Sequence, residues 1–241
     1  MKHVCRGFVI SAPCVLVALL FAVATSSKAG ERHFRVQGPA NPKAWENTAV
    51  KELEHYLDVR LGGNRLTVEG QDGVVFHVGD TVFAKQKGLV GFKGEEWCVK
   101  SFGGNVAIVG GGTRGTLYAV YHFLEDECGV RWWMDGDEDV PPAGPLNFGA
   151  LDRRGKPFFI CRNIWRFRTS DPRTAVRNRL NDNGDSLIPP ELGGAFTYGP
   201  PSHAHTWDMY LPFAEYGKEH PEWYSLVGGK RIGGHWYFTH S

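Results

Sequence analysis

Apolar residues recur at helical spacing along the first part of the chain. Between Asn41-Pro42 and Gly62-Gly63 they fall on one face of a helix. Pro42 suits the first turn of such a helix, and the glycine pair suits its end. The pattern therefore predicts a helix over residues 42–61. Its predicted buried face consists of Trp45, Ala49, Leu53, Tyr56, Leu57 and Leu61.

Shorter apolar runs bounded by glycine or aspartate predict strands. Trp97–Phe102 and Val106–Val109 flank Gly103-Gly104-Asn105 and predict a hairpin. A helix is predicted from Thr113, as its N-cap, to Cys128. The other predicted elements are the strands His33–Val36, Leu66–Val68, Val74–Val78 and Val130–Met134 and the helix Val82–Gln86. Strands that alternate with helices indicate the α/β class, with helices covering a sheet.

A turn-rich segment divides the chain. Pro141-Pro142-Ala143-Gly144-Pro145 is typical of a rigid connector, and we place a boundary between a first domain, residues 30–150, and a second, residues 151–241. In the second, Phe158–Phe167 is rich in aromatic and branched residues and predicts a strand. The elements predicted after it are a helix over Pro172–Asn181 with Asp171 as N-cap, a loop over 182–206, a partly helical stretch over Trp207–Tyr216 and a turn at Gly228-Gly229.

The amino terminus has the three regions of a secretory signal peptide. A positively charged start precedes the apolar stretch Phe8–Ala24, and Ser27-Lys28-Ala29 places small residues at the cleavage site. A membrane anchor is the alternative, but the apolar stretch is at the short end of the roughly 20 residues that span a bilayer. We therefore expect removal of residues 1–29 and a secreted or periplasmic mature protein that starts at Gly30 and has no membrane partner.

Charge and cysteine content narrow the class of protein. A net charge of +1 argues against nucleic acid as a partner, because such binding depends on neutralising phosphates. Cys98, Cys128 and Cys161 remain after the signal peptide, and an odd number implies at least one free thiol or an intermolecular bond. The mature chain is long enough to bury an ordinary core, so a disulfide scaffold is not expected.

A glycine run, Gly110-Gly111-Gly112, precedes the helix predicted at Thr113. Free backbone N–H groups at a helix start can hold a phosphate. No Gly-Lys-Ser/Thr follows the run and no clear βαβ unit contains it, so it matches neither a P-loop nor a dinucleotide fingerprint. This context favours a tight turn from strand to helix, and we expect no cofactor.

A longer pattern has the order of a known group of carbohydrate enzymes. The stretch Gly115–Glu125 is followed by Gly129–Trp133 and by the acidic, proline-terminated segment Gly136–Pro141. It resembles the end of the small amino-terminal domain in family 67 α-glucuronidases and family 20 β-hexosaminidases. It is similar in particular to the bacterial domain-of-unknown-function 4838 proteins. The resemblance covers roughly residues 31–231.

This resemblance implies a specific architecture. The first part would be a small α/β sandwich of the kind that forms the second domain of hexosaminidases, and the second part would begin a (β/α) barrel. A complete barrel needs about 250 residues, and residues 156–241 are roughly a third of that length. We therefore expect an incomplete barrel and a chain that is truncated at its carboxyl terminus.

Arg162 is the first candidate substrate-binding residue. The stretch Lys156–Arg162 resembles the first barrel strand of family 20 enzymes, where an arginine at the strand end grips hydroxyls of the terminal sugar. A guanidinium group suits this role because its planar fork can donate to two neighbouring oxygens. An ion-paired structural arginine is the alternative. The glycine that follows the arginine in the family is Asn163 here.

Arg131 and Trp133 are further candidates for substrate binding. In Arg131-Trp132-Trp133 the residues alternate across the predicted strand, so Arg131 and Trp133 share one face. Tryptophan rings can stack on the apolar C–H faces of sugars. They can equally cover a domain interface, which we favour because buried aromatic residues commonly pack in this way.

Histidines are concentrated near the carboxyl end. They are His203, His205, His220, His235 and His240. A His-x-His pair binds zinc when a strand presents both rings on one face, but no acidic or cysteine ligand has convincing spacing. We therefore expect no metal. His203 and His205 are expected to line a polar loop, in which His205 is a candidate substrate-binding residue.

The resemblance implies glycoside hydrolase chemistry on an oligosaccharide or polysaccharide. That reaction normally needs two carboxylates that flank the scissile bond. No acidic pair here matches those of the related enzymes, so we assign no catalytic residue and expect no turnover by this chain alone. A non-catalytic carbohydrate-binding protein is the main alternative. A metal-binding protein that uses the terminal histidines is the third.

Overall fold

A computed structural model describes residues 33–164, 171–182, 187–199 and 206–233. The predicted signal peptide, residues 1–29, lies outside these ranges. Among the helices that are described, none combines the length and the apolar character needed to cross a membrane.

Short strands and helices alternate through the described ranges, which confirms the mixed α/β class. The strands are β1 (Phe34–Gln37), β2 (Leu66–Val68), β3 (Val74–Val78), β4 (Trp97–Phe102), β5 (Asn105–Gly110), β6 (Arg131–Met134), β7 (Asp137–Asp139), β8 (Leu146–Phe148), β9 (Asp152–Gly155), β10 (Ser225–Val227) and β11 (Lys230–Ile232). The α-helices are α1 (Ala44–Leu61), α2 (Val82–Gln86), α3 (Gly115–Asp126), α4 (Pro172–Arg177), α5 (Trp207–Tyr210) and α6 (Phe213–Tyr216). Single 3₁₀ turns lie at Pro190–Leu192 and Pro221–Trp223.

A five-stranded sheet in the order β1-β3-β5-β4-β9 organises the fold. β1, β3 and β5 run parallel, so their carboxyl ends meet at one edge, whereas β4 and β9 are antiparallel additions. Helices α1 and α3 pack on the face that carries Phe76 and Ile108. Helix α2 packs on the opposite face, where Ala84 meets Ala107 and Val109. Successive residues of β5 thus serve opposite faces, as a strand period of two requires.

Helix α1 forms where the apolar pattern predicts it. At its start the Glu46 carboxylate accepts a hydrogen bond from the Lys43 backbone N–H at 2.9 Å, which satisfies one of the free donors of the first turn. At its end Gly62 adopts a left-handed φ of 54° and donates its N–H to the Asp58 carbonyl. The predicted face is buried from Ala49 to Leu61, and each large apolar side chain on it contributes about 1.5–3 kcal/mol.

The sheet extends past the predicted domain boundary at residue 150. After the proline-rich connector, β8 pairs with β2 and β9 pairs with β4. Leu151, between them, donates its N–H to Ser101 Oγ at 2.8 Å and accepts the Ser101 N–H at 2.9 Å. The unpaired edge of β4 needs hydrogen-bonding partners, and the segment Asp152–Gly155 supplies them. We call residues 33–155 the α/β unit.

The strand predicted over Phe158–Phe167 is not formed in its described part, residues 158–164. Phe158, Phe159 and Ile160 are 90, 66 and 79 % exposed and pair with no strand. The aromatic and branched composition favours a strand, but a strand also needs a neighbour for its backbone groups. Residues 165–167 of the prediction lie outside the described ranges.

The start of α3 differs from the prediction. Arg114 occupies the N-cap position and makes no capping hydrogen bond with its side chain. Thr113, the predicted cap, donates its hydroxyl instead to the Gly193 carbonyl at 2.6 Å. The helix start is therefore stabilised by a contact from a distant part of the chain rather than by a local cap.

Helix α4 begins as predicted but ends early. Asp171 accepts a hydrogen bond from the Arg173 N–H at 2.9 Å, as an N-cap should. The helix stops at Arg177, and Arg179 adopts a left-handed φ of 58°, which a helix does not accommodate. Further on, the stretch predicted as partly helical forms the short helices α5 and α6, and Gly228-Gly229 turns between β10 and β11.

Candidate functional site

Glu95 lies at the centre of a polar cluster that joins the α/β unit to the segment after it. Its side chain is 12 % exposed. Oε1 accepts hydrogen bonds from Arg114 Nε at 2.5 Å and Asn181 Nδ2 at 3.1 Å, and Oε2 pairs with Arg162 Nη2. We call Glu95, Arg114, Arg162 and Asn181 the Glu95 cluster. Two guanidinium groups share one carboxylate there, and low exposure strengthens both attractions.

Arg162, the predicted sugar-binding residue, uses all three guanidinium nitrogens within the protein. Nε donates to the Arg179 carbonyl and Nη1 to the Phe159 carbonyl, both at 2.7 Å. Nη2 pairs with Glu95 and lies 3.3 Å from the Tyr118 hydroxyl. These contacts engage four of the five N–H donors of the group, so a two-pronged grip on neighbouring sugar hydroxyls would have to displace at least one of these partners. The geometry therefore favours the alternative interpretation of Arg162 as an ion-paired structural residue.

Asn181 and Tyr118 complete this contact. Asn181 is fully buried, accepts the Arg162 backbone N–H at 2.8 Å and donates to the Ile160 carbonyl at 2.7 Å. The Tyr118 hydroxyl donates to the Leu180 carbonyl at 3.0 Å. Burial, and then the nearby Glu95 charge, raise the pKa of Tyr118, which therefore stays a neutral donor. We call residues 158–164, 171–182 and 187–199 the docked segment.

The Arg131-Trp132-Trp133 stretch lies on β6, and its residues alternate as predicted. Trp132 is buried and donates its indole N–H to the Tyr56 hydroxyl at 2.8 Å, whereas Trp133 is 58 % exposed. Arg131 donates to the carbonyls of Glu125 and Val130 at 2.5 and 2.8 Å. Trp133 is thus the residue of this stretch with an accessible side chain. The guanidinium group of Arg131 is hydrogen-bonded to backbone oxygens.

A second ion pair was missed by sequence reasoning. Arg177 Nε and Nη2 donate to the two oxygens of Glu52 at 3.0 and 3.2 Å, and the side chains are 18 and 13 % exposed. The guanidinium carbon lies 5.4 Å from the Tyr56 ring centroid and 5.9 Å from that of Trp132. Burial alone would lower the pKa of Arg177, but Glu52 raises it overall. This pair fixes α4 against α1.

His122, Glu125 and Asp126 form the one described group with metal-ligand chemistry, and their ligand atoms lie within 4.8 Å of one another. Burial, followed by the Arg179 charge, lowers the pKa of His122 to about 4, so its ring is neutral at pH 7. The ring stacks on Trp97 with centroids 4.2 Å apart. Glu125 pairs with Arg179, which competes with any cation for that carboxylate. This donor set therefore fits a metal poorly.

The terminal histidines are mostly outside the described ranges. These are His203, His205, His235 and His240, so the predicted role of His205 stays a prediction. His220 is described and stacks on Trp223 with centroids 3.8 Å apart. Its Nδ1 lies 3.2 Å from a Glu222 oxygen. Ring stacking on Trp223 and the polar contact with Glu222 account for His220 without a metal.

A cleft of about 390 Å³ opens at the edge where β1, β3 and β5 end. The start of α1 contributes Trp45 and Glu46 to its lining, Asp80 follows β3, and Phe92 comes from the loop before β4. The glycine run after β5 closes the far side. Sequence reasoning found the glycine run and missed the cleft, because the other segments lie far apart in the chain.

The glycine run is explained by close packing. A Cβ on Gly111 would lie 2.6 Å from the Phe92 carbonyl oxygen, and one on Gly112 would lie 2.6 Å from that of Gly94. The Gly111 N–H donates to the Glu96 carbonyl at 2.8 Å and so does not face a ligand. These contacts support the tight-turn interpretation over a phosphate cradle. Comparison with family models, with curated proteins and with solved structures gives no match to this chain.

Proposed function

We propose that this chain is an exported glycoside-hydrolase-like protein of carbohydrate metabolism. In this proposal residues 1–29 are its signal peptide and the α/β unit is a non-catalytic sandwich domain of the hexosaminidase type. The docked segment, whose described residues form no strand, corresponds in sequence to the start of a barrel-like domain. The partner is an oligosaccharide or polysaccharide. No catalytic residue is assigned. The resemblance over Gly110–Pro141 supports the family. The contacts made by the Glu95 cluster support a role of the α/β unit in holding the segment that follows it.

The exposure of Trp133 is the observation that carries the carbohydrate part of this proposal. Its neighbour Trp132 is buried and held by Tyr56, which anchors the hairpin formed by β6 and β7. An indole on an anchored hairpin offers a flat apolar face at little cost in conformational entropy, and sugar rings present matching C–H faces. A buried tryptophan at position 133 would have supported an interface role instead.

Polysaccharide retention tests this assignment. The full chain is secreted from a bacterial host and run through gels that contain soluble polysaccharides of different composition. Trp207→Ala is the matched control, because Trp207 is 56 % exposed and lies on α5. We expect retardation of the wild type and the control, and about tenfold weaker binding for Trp133→Ala, the factor that corresponds to 1.4 kcal/mol of stacking.

Two outcomes would contradict the proposal. Wild-type protein that migrates freely in every polysaccharide would remove the carbohydrate partner. Equal retardation of Trp133→Ala and wild type would remove the role of Trp133.

Export is checked on the same material, since amino-terminal sequencing should give Gly30 as the first residue or one within a few positions. Secreted protein that still begins with Met1 would contradict the signal peptide.

A further inference from the structure

The cleft lies where the connections of the sheet diverge. The chain leaves β1 and β5 for α1 and α3 on one face, and it leaves β3 for α2 on the opposite face. Ligands of open α/β sheets bind in such a crevice outside the carboxyl ends of the strands. The volume of about 390 Å³ lies within the range of small-ligand sites. Position and size therefore favour a binding site for one small molecule.

Glu46 gives the cleft its polar chemistry. Its side chain belongs to a residue that is 6 % exposed, and its two oxygens accept the backbone N–H groups of Lys43 at 2.9 Å and Asp80 at 3.2 Å. A carboxylate oxygen has more than one lone pair, so each oxygen retains capacity for one hydroxyl donor. The charge is stabilised by the start of α1. It is therefore a fixed acceptor for a ligand that carries hydroxyl groups.

An anionic ligand is disfavoured by the same groups. The Glu46 carboxylate already occupies the start of α1, and Asp80 also lines the cleft, so two carboxylates against the one ammonium of Lys43 would repel a further negative charge. The Gly111 N–H, which a phosphate would need, donates to the Glu96 carbonyl. The cleft also contains apolar surface from Phe92 and from the half-buried Trp45, whose ring a ligand reaches by displacing the exposed Lys43 ammonium, 5.3 Å from the ring centroid. These features together suit a neutral ring with hydroxyls and C–H faces.

We propose that this cleft binds a single neutral sugar unit, a hexose or pentose ring, with its hydroxyls on Glu46 and its C–H face toward Trp45. The site is separate from Trp133, which does not line it. The choice of ligand rests on the proposed function. The cleft gives the α/β unit a recognition role of its own.

Nuclear magnetic resonance of the full mature chain tests the proposal. Tryptophan indole signals are followed while glucose, galactose, xylose or glucuronate is added. We expect the Trp45 indole signal to move with at least one neutral sugar and to move less with glucuronate, because Glu46 repels its carboxylate. Glu46→Gln should weaken binding about tenfold, since a hydrogen bond to a charged acceptor is replaced by one to a neutral amide.

A blocking variant separates binding from folding. Val90 lies on the rim of the cleft and is 58 % exposed, so Val90→Trp should fill the opening without disturbing the core. Val59→Trp is the control, because Val59 is 46 % exposed near the opposite end of α1. We expect Val90→Trp to abolish the shift of the Trp45 signal and Val59→Trp to preserve it, with both variants keeping the wild-type unfolding transition.

The outcomes distinguish this inference from the proposed function. No movement of the Trp45 signal with any neutral sugar, or movement that survives Val90→Trp, would overturn the cleft site. Polysaccharide retention that depends on Trp133 would then leave the proposed function standing. Conversely, a Trp45 shift that Val90→Trp removes would support the cleft even if no polysaccharide retains the protein, and the proposed function would fall alone.

Discussion

Arg177 and Glu52 are 125 residues apart in the chain, yet the guanidinium group of one meets both carboxylate oxygens of the other. This two-pronged contact is planar and directional, and arginine makes it better than lysine can. It ties the docked segment to the longest described helix, α1, across the ring of Tyr56. The pair therefore stabilises the packing between two regions rather than either region alone.

Removal of one partner should destabilise the protein. We expect Glu52→Gln to lower the free energy of unfolding by about 2 kcal/mol, because a largely buried guanidinium loses its two-oxygen partner and keeps the more distant Glu138 carboxylate, 3.6 Å from Nη1. The measurement is urea unfolding of the full chain. Asp72→Asn is the control, since Asp72 and Arg65 form an exposed pair with side chains 49 and 67 % exposed. That pair should contribute less than about 1 kcal/mol. Equal effects of the two variants would contradict the assignment.

The Glu95 cluster should hold the docked segment in place. Glu95→Gln leaves Arg114 and Arg162 without their shared negative charge, so we expect the segment to separate more often from α3. Limited proteolysis followed by mass spectrometry should then show faster cleavage near residues 156–164, with the α/β unit remaining intact. Glu219→Gln, at an exposed position, serves as control. Unchanged cleavage in Glu95→Gln would show that apolar contacts alone hold the segment.

His122 should make stability depend on pH. Its pKa falls from 6.5 to about 4 in the folded state, first because of burial and then because of Arg179. The unfolded chain therefore takes up a proton near pH 6.5 while the folded chain does not, and stability declines as the pH falls from 6.5 toward 4. At about 1.4 kcal/mol per pKa unit, the loss is at most about 3 kcal/mol.

Unfolding midpoints measured between pH 7 and 4 check this dependence. We expect His122→Gln to flatten the decline over that window, whereas His55→Gln, at an exposed position on α1, should preserve it. A His122→Gln protein whose stability falls as steeply as that of the wild type would assign the acid sensitivity to other groups.

The three cysteines of the described ranges should differ in reactivity. Cys98 and Cys128 are buried, and burial raises the pKa of Cys98 and brings that of Cys128 to about 12. Cys161 is partly exposed, with its sulfur 2.7 Å from the Tyr198 hydroxyl. A thiol reagent should therefore label one cysteine quickly in the folded protein and the others only on unfolding. Cys161→Ser should remove the fast phase, and fast labelling that persists would contradict this order.

The elements with strong local signals could be predicted from the sequence. The bounds of β2, β3 and α2 agree with the prediction. Glycine lies within two residues of the carboxyl end of each of these apolar runs, so the signal that ends each element is local. The strand predicted at Phe158–Ile160 was wrong, because a strand needs a neighbouring strand and no local sequence signal shows whether one is present. The Glu95 and Arg177 contacts join residues 67 and 125 positions apart and carry no local pattern.

In the candidate site, too, features with a local sequence signal could be predicted and contacts between distant residues could not. The placement of Trp132 and Trp133 on opposite faces follows from strand geometry and was predicted, whereas the exposure of Trp133 was not. The engagement of Arg162 with Glu95, and the cleft beside Glu46, depend on where distant loops meet. Residue type identified Arg162 as a donor, but the partner of that donor is set by the tertiary fold.

The position of β9 at the end of the sheet sets an order of assembly during synthesis. All strands of the five-stranded sheet have left the ribosome once Gly155 emerges. Helices α1 and α3, which cover the face that carries Phe76, precede that residue. Domains generally fold as units, with the amino-terminal one first. The sheet and helices α1 and α3 can thus associate before residues 158–199 are available. Arg162 and Arg177 are synthesised later and pair with Glu95 and Glu52, while Val176, Ile188 and Leu192, from the same later part of the chain, complete the apolar core.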